Sequence, residues 1–504
     1  MTDRPTVDVA IVGYGPAGVV AAALLGQAGH SVYVCDRQQG VYEIPRAISL
    51  DHEIMRVFQQ LGVADDVARY CEPFTPSEYF GVDGQMIRRM TMVDPPYPQG
   101  YTPSLVFTQP EVERVLRARV AQMPNVTVVE GVECTTITQD PEVVTLTIGQ
   151  DRIHARYAIG CDGGSSTVRE QVGIGLDDLD FDEPWLVVDV VCNERGLAKL
   201  PKTSVQWCEP ERPCTLVIGP GNHRRWEISL NAGEDARTAA TEQGTWALLS
   251  RWLTPDDGRL WRQSSYRFHA LVASRWRERR VFLAGDAAHM QPPFLGQGMC
   301  QGIRDVKNLT WKLGEVLDGR TRGDAAERLL DSYGIERGRH VRDLTTRIKS
   351  IGAVICERDV AKARARDAQL LADCGGVVKD TPRQDILPAL TEGFIDIDTP
   401  GAGTLFPQPM LASGRLMDEV HGCGWRLVVD DGLSIDHARK AIDHARSDGL
   451  TVIDLGRDRE THGVVRAWMD RHGVHAAIIR PDHYTYATAI DDDGLARAVD
   501  SWNQ

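Results

Sequence analysis

The stretch that most constrains this chain lies at its start. Val7–Val12 is a short apolar run of strand type, and Gly13-Tyr14-Gly15-Pro16-Ala17-Gly18 follows at once. Residues 19–27 are rich in Ala and Leu and read as a helix, Gly29 ends it, and residues 31–35 form a second β-branched run closing on Asp36. That order predicts a β-α-β unit with a parallel strand pair. Within it, Gly13 permits a tight turn, Gly15 lets the backbone approach a pyrophosphate, and Gly18 lets helix and strand pack closely. The helix N-terminus stabilises the anion. Asp36, eighteen residues after Gly18, is placed to accept hydrogen bonds from a ribose diol. Three glycines alone also suit an ordinary turn in an α/β fold. The full order of strand, turn, helix, strand and acid is what specifies a dinucleotide.

Two later motifs bear on which dinucleotide. The first is Ala158-Ile159-Gly160-Cys161-Asp162-Gly163, at the end of a strand. The second is Val281-Phe282-Leu283-Ala284-Gly285-Asp286-Ala287-Ala288-His289, running into Pro292-Pro293 and Gly296-Gln297-Gly298. A strand ending in Gly-Asp places a carboxylate where it can hold a ribityl hydroxyl. The Pro/Gly loop then brings backbone N–H groups and a helix N-terminus against a planar ring, where they stabilise the anion of a reduced flavin. Taken singly, Asp162 also reads as a turn cap and Asp286 as a helix cap. No second G-x-G-x-x-G occurs; Gly173-Ile174-Gly175 and Gly219-Pro220-Gly221 both lack the third glycine.

Composition narrows the class without touching the chemistry. Acidic residues outnumber basic ones, 71 to 56, and the net charge of −15 argues against nucleic acid and acidic membranes as partners. The longest apolar stretch, residues 17–25, falls far short of the roughly 20 needed to cross a bilayer. Asp3 and Asp8 stand where an export signal wants a basic start. Eleven cysteines without a C-x-x-C pair fit free thiols in a reducing compartment, so we expect a cytoplasmic protein with no metal site. The length allows about two to four domains. Residues 126–159 and 185–230 are strand-rich, the latter with the alternation of an antiparallel sheet with one wet face. Helices are expected over 52–60, 111–122, 298–317 and 324–349. A Pro/Gly-rich link at 399–409 precedes a small α/β module.

Together these motifs resemble the FAD-dependent aromatic hydroxylases related to p-hydroxybenzoate hydroxylase. Within that group the chain is most similar to the 3-(3-hydroxyphenyl)propanoate hydroxylases. The closer likeness rests on Pro45-Arg46-Ala47-Ile48-Ser49-Leu50-Asp51, Gln109-Pro110, Arg224-Arg225-Trp226-Glu227, the Gly285 to Asp305 segment and Arg480-Pro481-Asp482. The resemblance implies an α/β (α+β) fold: a Rossmann-like FAD domain (1–180 and 270–400) interleaved with an antiparallel substrate sheet (181–269, with parts of 70–105). A thioredoxin-like C-terminal domain (410–504) follows. It also implies that NADH or NADPH docks transiently to reduce bound FAD, and that O2 then forms a flavin C4a-hydroperoxide, which hydroxylates a phenol. Gly13, Gly15, Pro16, Ala17 and Gly18 would hold the pyrophosphate, with Asp36 and Arg37 at the ribose. Arg46 and Gln109 would flank the isoalloxazine, Asp162 would sit beside the nucleotide, and Asp286 would hold the ribityl chain. Pro293, Gly296, Gln297, Gly298 and Met299 would line the ring. Relatives often carry two acids where this chain has Asp51-His52, and Asn where it has Cys300.

Electrophilic hydroxylation is helped when the phenol is ionised, so a proton acceptor is expected near the phenol oxygen. Asp51 is the first candidate, although it reads equally well as the cap of the helix beginning at His52. His52 could relay a proton. Arg225 and His269, on or near the substrate sheet, are candidates for contacting substrate, and surface pairing is the plainer reading of Arg225 and Arg267. Cys423 lacks a C-x-x-C partner, so the C-terminal module is expected to be structural or to support a homodimer. Competing readings are the same chemistry on a polyketide or drug-like aromatic, an FAD-dependent dehydrogenase or oxidase, and a non-catalytic flavin redox sensor.

Overall fold

The structure is a computed structural model that describes residues 6–433, 435–447 and 449–502; Asp3 lies outside them. Its first sheet places Val7–Val12 centrally, parallel to Val32–Asp36 on one side and to Asp151–Gly160 on the other. Val281–Leu283 adds a further parallel strand beside Asp151–Gly160, and Val126–Glu130 one beside Val32–Asp36. The three glycine-acid motifs therefore leave neighbouring parallel strands at the same end of one sheet. That end of an open α/β sheet, where connections diverge to either side, is where ligands bind. The helices Pro16–Gln27 and Gly298–Leu317 cover the sheet. Val9, Ile11, Val19, Leu25, Val34, Ile159, Phe282 and Ile303 form its apolar core, all at most 1% exposed.

The second sheet has nine strands, with Leu176–Cys192, His223–Ser229, Cys214–Ile218 and Ser204–Trp207 adjacent in that order. One face packs Leu186, Val188, Leu216, Trp226 and Ile228 into a core of its own. The sequence led us to expect water on the other face. Instead that face is closed over by the first domain: Asp189, Arg225 and Glu227 point there, and all are buried.

Beyond residue 410, the strands Arg426–Val429, Thr451–Asp454, Ala476–Ile479 and Thr485–Ala489 form a separate sheet. The first pair is parallel, and the remaining pairings are antiparallel. Interleaved with Ile435–Ser447, Val464–His472 and Asp492–Trp502, they give the β-α-β-α-β-β-α order of a thioredoxin-like module. The Pro/Gly-rich link is not a loose hinge. Phe406 and Gln408 are fully buried, and backbone bonds tie Gly403 to Thr485 (2.9 Å) and Gln408 to Pro98 (2.8 Å). Buried ion pairs join module to body, Arg56 to Asp418 (2.5 Å) and Arg480 to Glu336 (2.7 Å). The expected helix over 324–349 runs further, as the 34-residue Gly323–Cys356, and an unanticipated helix, Val360–Asp373, follows it. No helix among the described residues is long and apolar enough to cross a membrane.

Candidate active site

A single cavity of about 870 Å³ runs from the glycine-rich turn to the buried face of the second sheet. At its first end the backbone does the shaping. Gly13 adopts φ +102°, and a Cβ there would meet the Cys161 carbonyl oxygen at 2.3 Å. A Cβ on Gly18 would meet the Gly13 oxygen at 2.0 Å, so Gly18 serves helix packing and is not on the wall. Gly15 has nothing within 4 Å of its Cβ position and opens onto the cavity. It caps the helix Pro16–Gln27 without a side-chain hydrogen bond, which leaves first-turn N–H groups for an anion. A pyrophosphate fits this cradle.

Pro16, Ala17, Asp36, Arg37, Arg46, Gln109, Asp162, Asp286, Pro293, Gly296, Gly298 and Met299 complete the lining along this half. Asp36 takes the N–H groups of Tyr14 (2.6 Å) and Gln38 (2.7 Å), which fixes its carboxylate at the strand end. Burial pushes the Asp162 carboxyl upward, although Ser166 (2.5 Å) and Val168 (3.0 Å) donate to it. Gln109 Oε1 accepts from the Arg46 and Ala47 N–H groups at 2.8 and 2.6 Å, holding that loop over the cavity. The loop carrying Asp286 is anchored from behind by Asp305, which accepts from Gly285 N–H (2.9 Å) and Arg337 (2.9 Å) and pairs with His289 (2.7 Å). Gln297 turns away from the cavity, because its amide oxygen accepts from Arg304 at 2.9 Å.

The far half is built from side chains. Asp189 pairs with Arg225 and His223, both at 2.7 Å. Burial opposes its ionisation, but the Arg225 guanidinium and His223 hold its carboxyl down at about 2. Arg225 also donates to the carbonyls of Arg46 (2.8 Å) and Pro45 (3.0 Å), and Arg262 donates to Pro45 (2.6 Å) and the Tyr266 hydroxyl (2.7 Å). Arg225 lines the cavity, yet its charge is spent on clamping the 45–46 loop to the sheet. His269 is not on the wall; it lies 3.9 Å from Asp182, beside the exposed Arg267–Asp182 pair.

Asp51 and His52 are not on the wall either. Asp51 caps the helix His52–Gln60 through the Ile54 N–H (3.3 Å) and pairs with Arg304, which also holds Glu53 at 2.5 Å. Burial opposes its charge, but Arg304 keeps the carboxyl below the usual range. Burial likewise drives His52 down to about 4, so it is neutral near pH 7, and its Nδ1 has no partner.

Among the wall residues not singled out in the sequence are Glu227 and Arg383. Glu227 is 6% exposed, and burial pushes its carboxyl up to about 7. The signal for it was its place closing the Arg224-Arg225-Trp226-Glu227 motif. Arg383 donates to the Leu295 carbonyl (2.7 Å) and stacks 4.2 Å over Phe74, with no carboxylate within 4.0 Å among the described residues. It falls in a stretch with no motif. Among the described residues, one trio of potential metal ligands occurs, Asp418, Cys423 and His483 in the C-terminal module, but Arg56 and Arg426 already occupy Asp418.

This arrangement defines a dinucleotide-binding protein with a second, polar chamber joined to the cradle. Residues 6–348 match the family described as FAD binding domain, and the chain belongs to it. Residues 403–504 match the HcaD C-terminal domain. A probable NADH-specific resorcinol 4-hydroxylase of Rhodococcus jostii (strain RHA1) is 37% identical, across 98% of this chain and 94% of that relative. A 3-(3-hydroxy-phenyl)propionate/3-hydroxycinnamic acid hydroxylase of Burkholderia cenocepacia (strain HI2424) is 32% identical, across 98% and 96%. Among solved structures, the flavin-dependent monooxygenase PieE superposes with a TM-score of 0.81 at 22% identity, covering 99% of both chains.

Proposed function

We propose that this chain is an FAD-dependent monooxygenase that uses NADH and O2 to hydroxylate a small phenol, in the catabolism of aromatic compounds. The observation that carries the reading is the one continuous cavity joining the pyrophosphate cradle to the buried polar face of the second sheet. FAD, when bound, supplies the electron store and the activated oxygen. The protein's own work is placement. Gly13, Gly15 and the helix N-terminus hold the pyrophosphate, and Asp36 the ribose. Asp286 holds the ribityl chain, and Gly298 and Met299 bring backbone N–H groups to the ring. Arg46, on the loop that Gln109 holds, would flank it. Behind the wall, Asp51 holds Arg304 and Arg304 holds Gln297, so Asp51, with the neutral His52 beside it, positions the Gly296–Gly298 turn rather than touching substrate. The sheet and the first domain close over the chamber and keep water from the reacting atoms.

A simple phenol is favoured over a polycyclic one. Two similar proteins are named for single-ring phenols, a resorcinol and a 3-(3-hydroxy-phenyl)propionate. Arg383, without an acidic partner, suits an oxygen substituent on that ring. NADH is favoured by the NADH-specific relative, and the lack of a second cradle agrees with transient docking. All eleven cysteines are free, which agrees with a cytoplasmic setting, and the C-terminal module is read as structural and dimer-supporting. We read the chain as 1–180 with 270–400, 181–269 with parts of 70–105, and 410–504, with Asp380–Pro382 reaching across to pair in the second sheet.

The test is yellow, FAD-loaded protein given NADH or NADPH and a panel of phenols in air. Substrate-stimulated NADH and O2 consumption, with a product one oxygen heavier, is the expected result. Reduction without oxygen insertion would identify a dehydrogenase, and no turnover would identify a sensor.

A further inference from the structure

We propose that Glu227 is the proton acceptor for the phenolic hydroxyl, a role that rests on the monooxygenase reading above. The case is geometric. Glu227 sits on the strand His223–Ser229 between Val187 and Thr215, with its carboxyl on the cavity side. It makes no hydrogen bond and no ion pair within 4.0 Å among the described residues, although it is buried. Burying a carboxyl without a partner is costly, and nearly all such groups in folded proteins are satisfied. Here the two nearest cations and the adjacent Thr215 hydroxyl are committed elsewhere. Arg225, two residues along the strand, is paired with Asp189, and Arg262 is tied to Pro45 and Tyr266. Thr215 donates to Gln206 Oε1 in the same cross-strand row. The Gln206 amide N–H groups make no hydrogen bond and also face the cavity, so the row offers one acceptor and one donor. A phenol hydroxyl donates once and accepts, and so complements both.

In the step proposed, the phenol O–H bond breaks and its proton forms a new O–H bond on the Glu227 carboxylate. The bonding pair stays on the phenolate oxygen, so one negative charge moves from the protein to the ring. The ring becomes more electron-rich where oxygen is inserted. The charged groups around Glu227 are Arg225 on its own strand, Asp189 on Leu176–Cys192 and Arg262 on Gly258–Ala273. The strands Cys214–Ile218 and Ser204–Trp207 contribute only neutral side chains, Thr215 and Gln206, on that face. The cations favour ionisation and Asp189 disfavours it, and burial outweighs them, leaving a base that titrates near neutrality, where acid–base catalysis is most effective.

The experiment uses the FAD-loaded enzyme, Glu227→Gln and Glu227→Asp, with 4-nitrophenol as a binding probe whose absorbance reports its own ionisation. Wild type is expected to bind the probe as phenolate near pH 7, and Glu227→Gln to bind it as neutral phenol. Hydroxylation by Glu227→Gln should fall about 100-fold or more, with the acid limb near pH 7 lost, while FAD content and NADH-dependent flavin reduction stay within about threefold. Glu227→Asp should restore the limb in part. A Glu227→Gln enzyme with the wild-type pH profile and rate, or with the probe still bound as phenolate, would overturn the assignment. Failure of wild type to oxygenate any phenol would instead overturn the monooxygenase reading, and the probe's ionisation is measured without turnover.

Discussion

The two halves of the cavity are made in opposite ways. The cradle is backbone: a glycine with φ +102°, a helix N-terminus and an acid at a strand end, all within 24 residues of one another. The far wall is side chain: Val187, Gln206, Thr215, Glu227 and Arg262 come from five strands, and Arg383 from a segment more than a hundred residues further along the chain. A backbone-built site tolerates almost no change of residue at its close approaches, because the clash is with main chain. A side-chain-built wall can be altered one group at a time, and its charges decide what the pocket accepts. On the function proposed, the first half holds FAD and the second selects what is oxidised.

That contrast can be broken in four places. The largest effect is expected from Gly15→Val, which projects into open cavity and not into the fold: the protein should fold with wild-type circular dichroism yet retain no flavin colour. Next is Asp189→Ala, which strands the buried Arg225 and frees the 45–46 loop. Breaking such a pair costs about 3–5 kcal/mol, read as a shift in urea midpoint. Third, Glu227→Gln should be more stable than wild type, and increasingly so as pH rises. The folded carboxyl titrates near 7 against an ordinary 4.5, so ionising it opposes folding. The penalty is absent below about 4.5, grows up to about 7 and is constant above, reaching at most about 3 kcal/mol. Thermal melts at pH 4 and pH 8 check the sign. The smallest effect is expected at Arg267→Ala, whose pair with Asp182 lies on the exposed surface and should leave melting temperature and turnover unchanged.

The same contrast explains what could be read in advance. The glycine motif, Asp36, Asp162 and Asp286 were legible because each stands at a strand end within a few residues of the turn it serves. Asp51 and Gln297 were picked out by their nearness to such motifs, and Arg225 by its place on the substrate sheet. The fold ties all three to protein partners: Arg304 for the first two, and Asp189 with two carbonyls for the third. Glu227 and Arg383 could not be located, because only strand register and the docking of one domain on another bring them to the wall. The alternation around Glu227 looks like that of a sheet facing water, since a polar residue facing a closed chamber and one facing solvent share the same period. The helix Val360–Asp373 was missed in a stretch without motifs, where its amphipathic pattern had nothing to anchor it.

The docking of the C-terminal module has a practical side. Its Tyr484 hydroxyl donates to Glu53 (3.2 Å), which Arg304 holds together with Asp51, so the module is linked through Glu53 and Arg304 to Gln297 in the turn beside the cavity. Removing it would take Asp418 from Arg56 and Arg480 from Glu336, leaving Arg56 without its carboxylate and Glu336 with Lys312 as its remaining cation in what had been dry interior. A shortened protein ending near residue 400 would thus be a poor reagent, and limited proteolysis between the two parts should yield no active core. The seam that looks cleavable on paper is where the molecule is most tightly sewn.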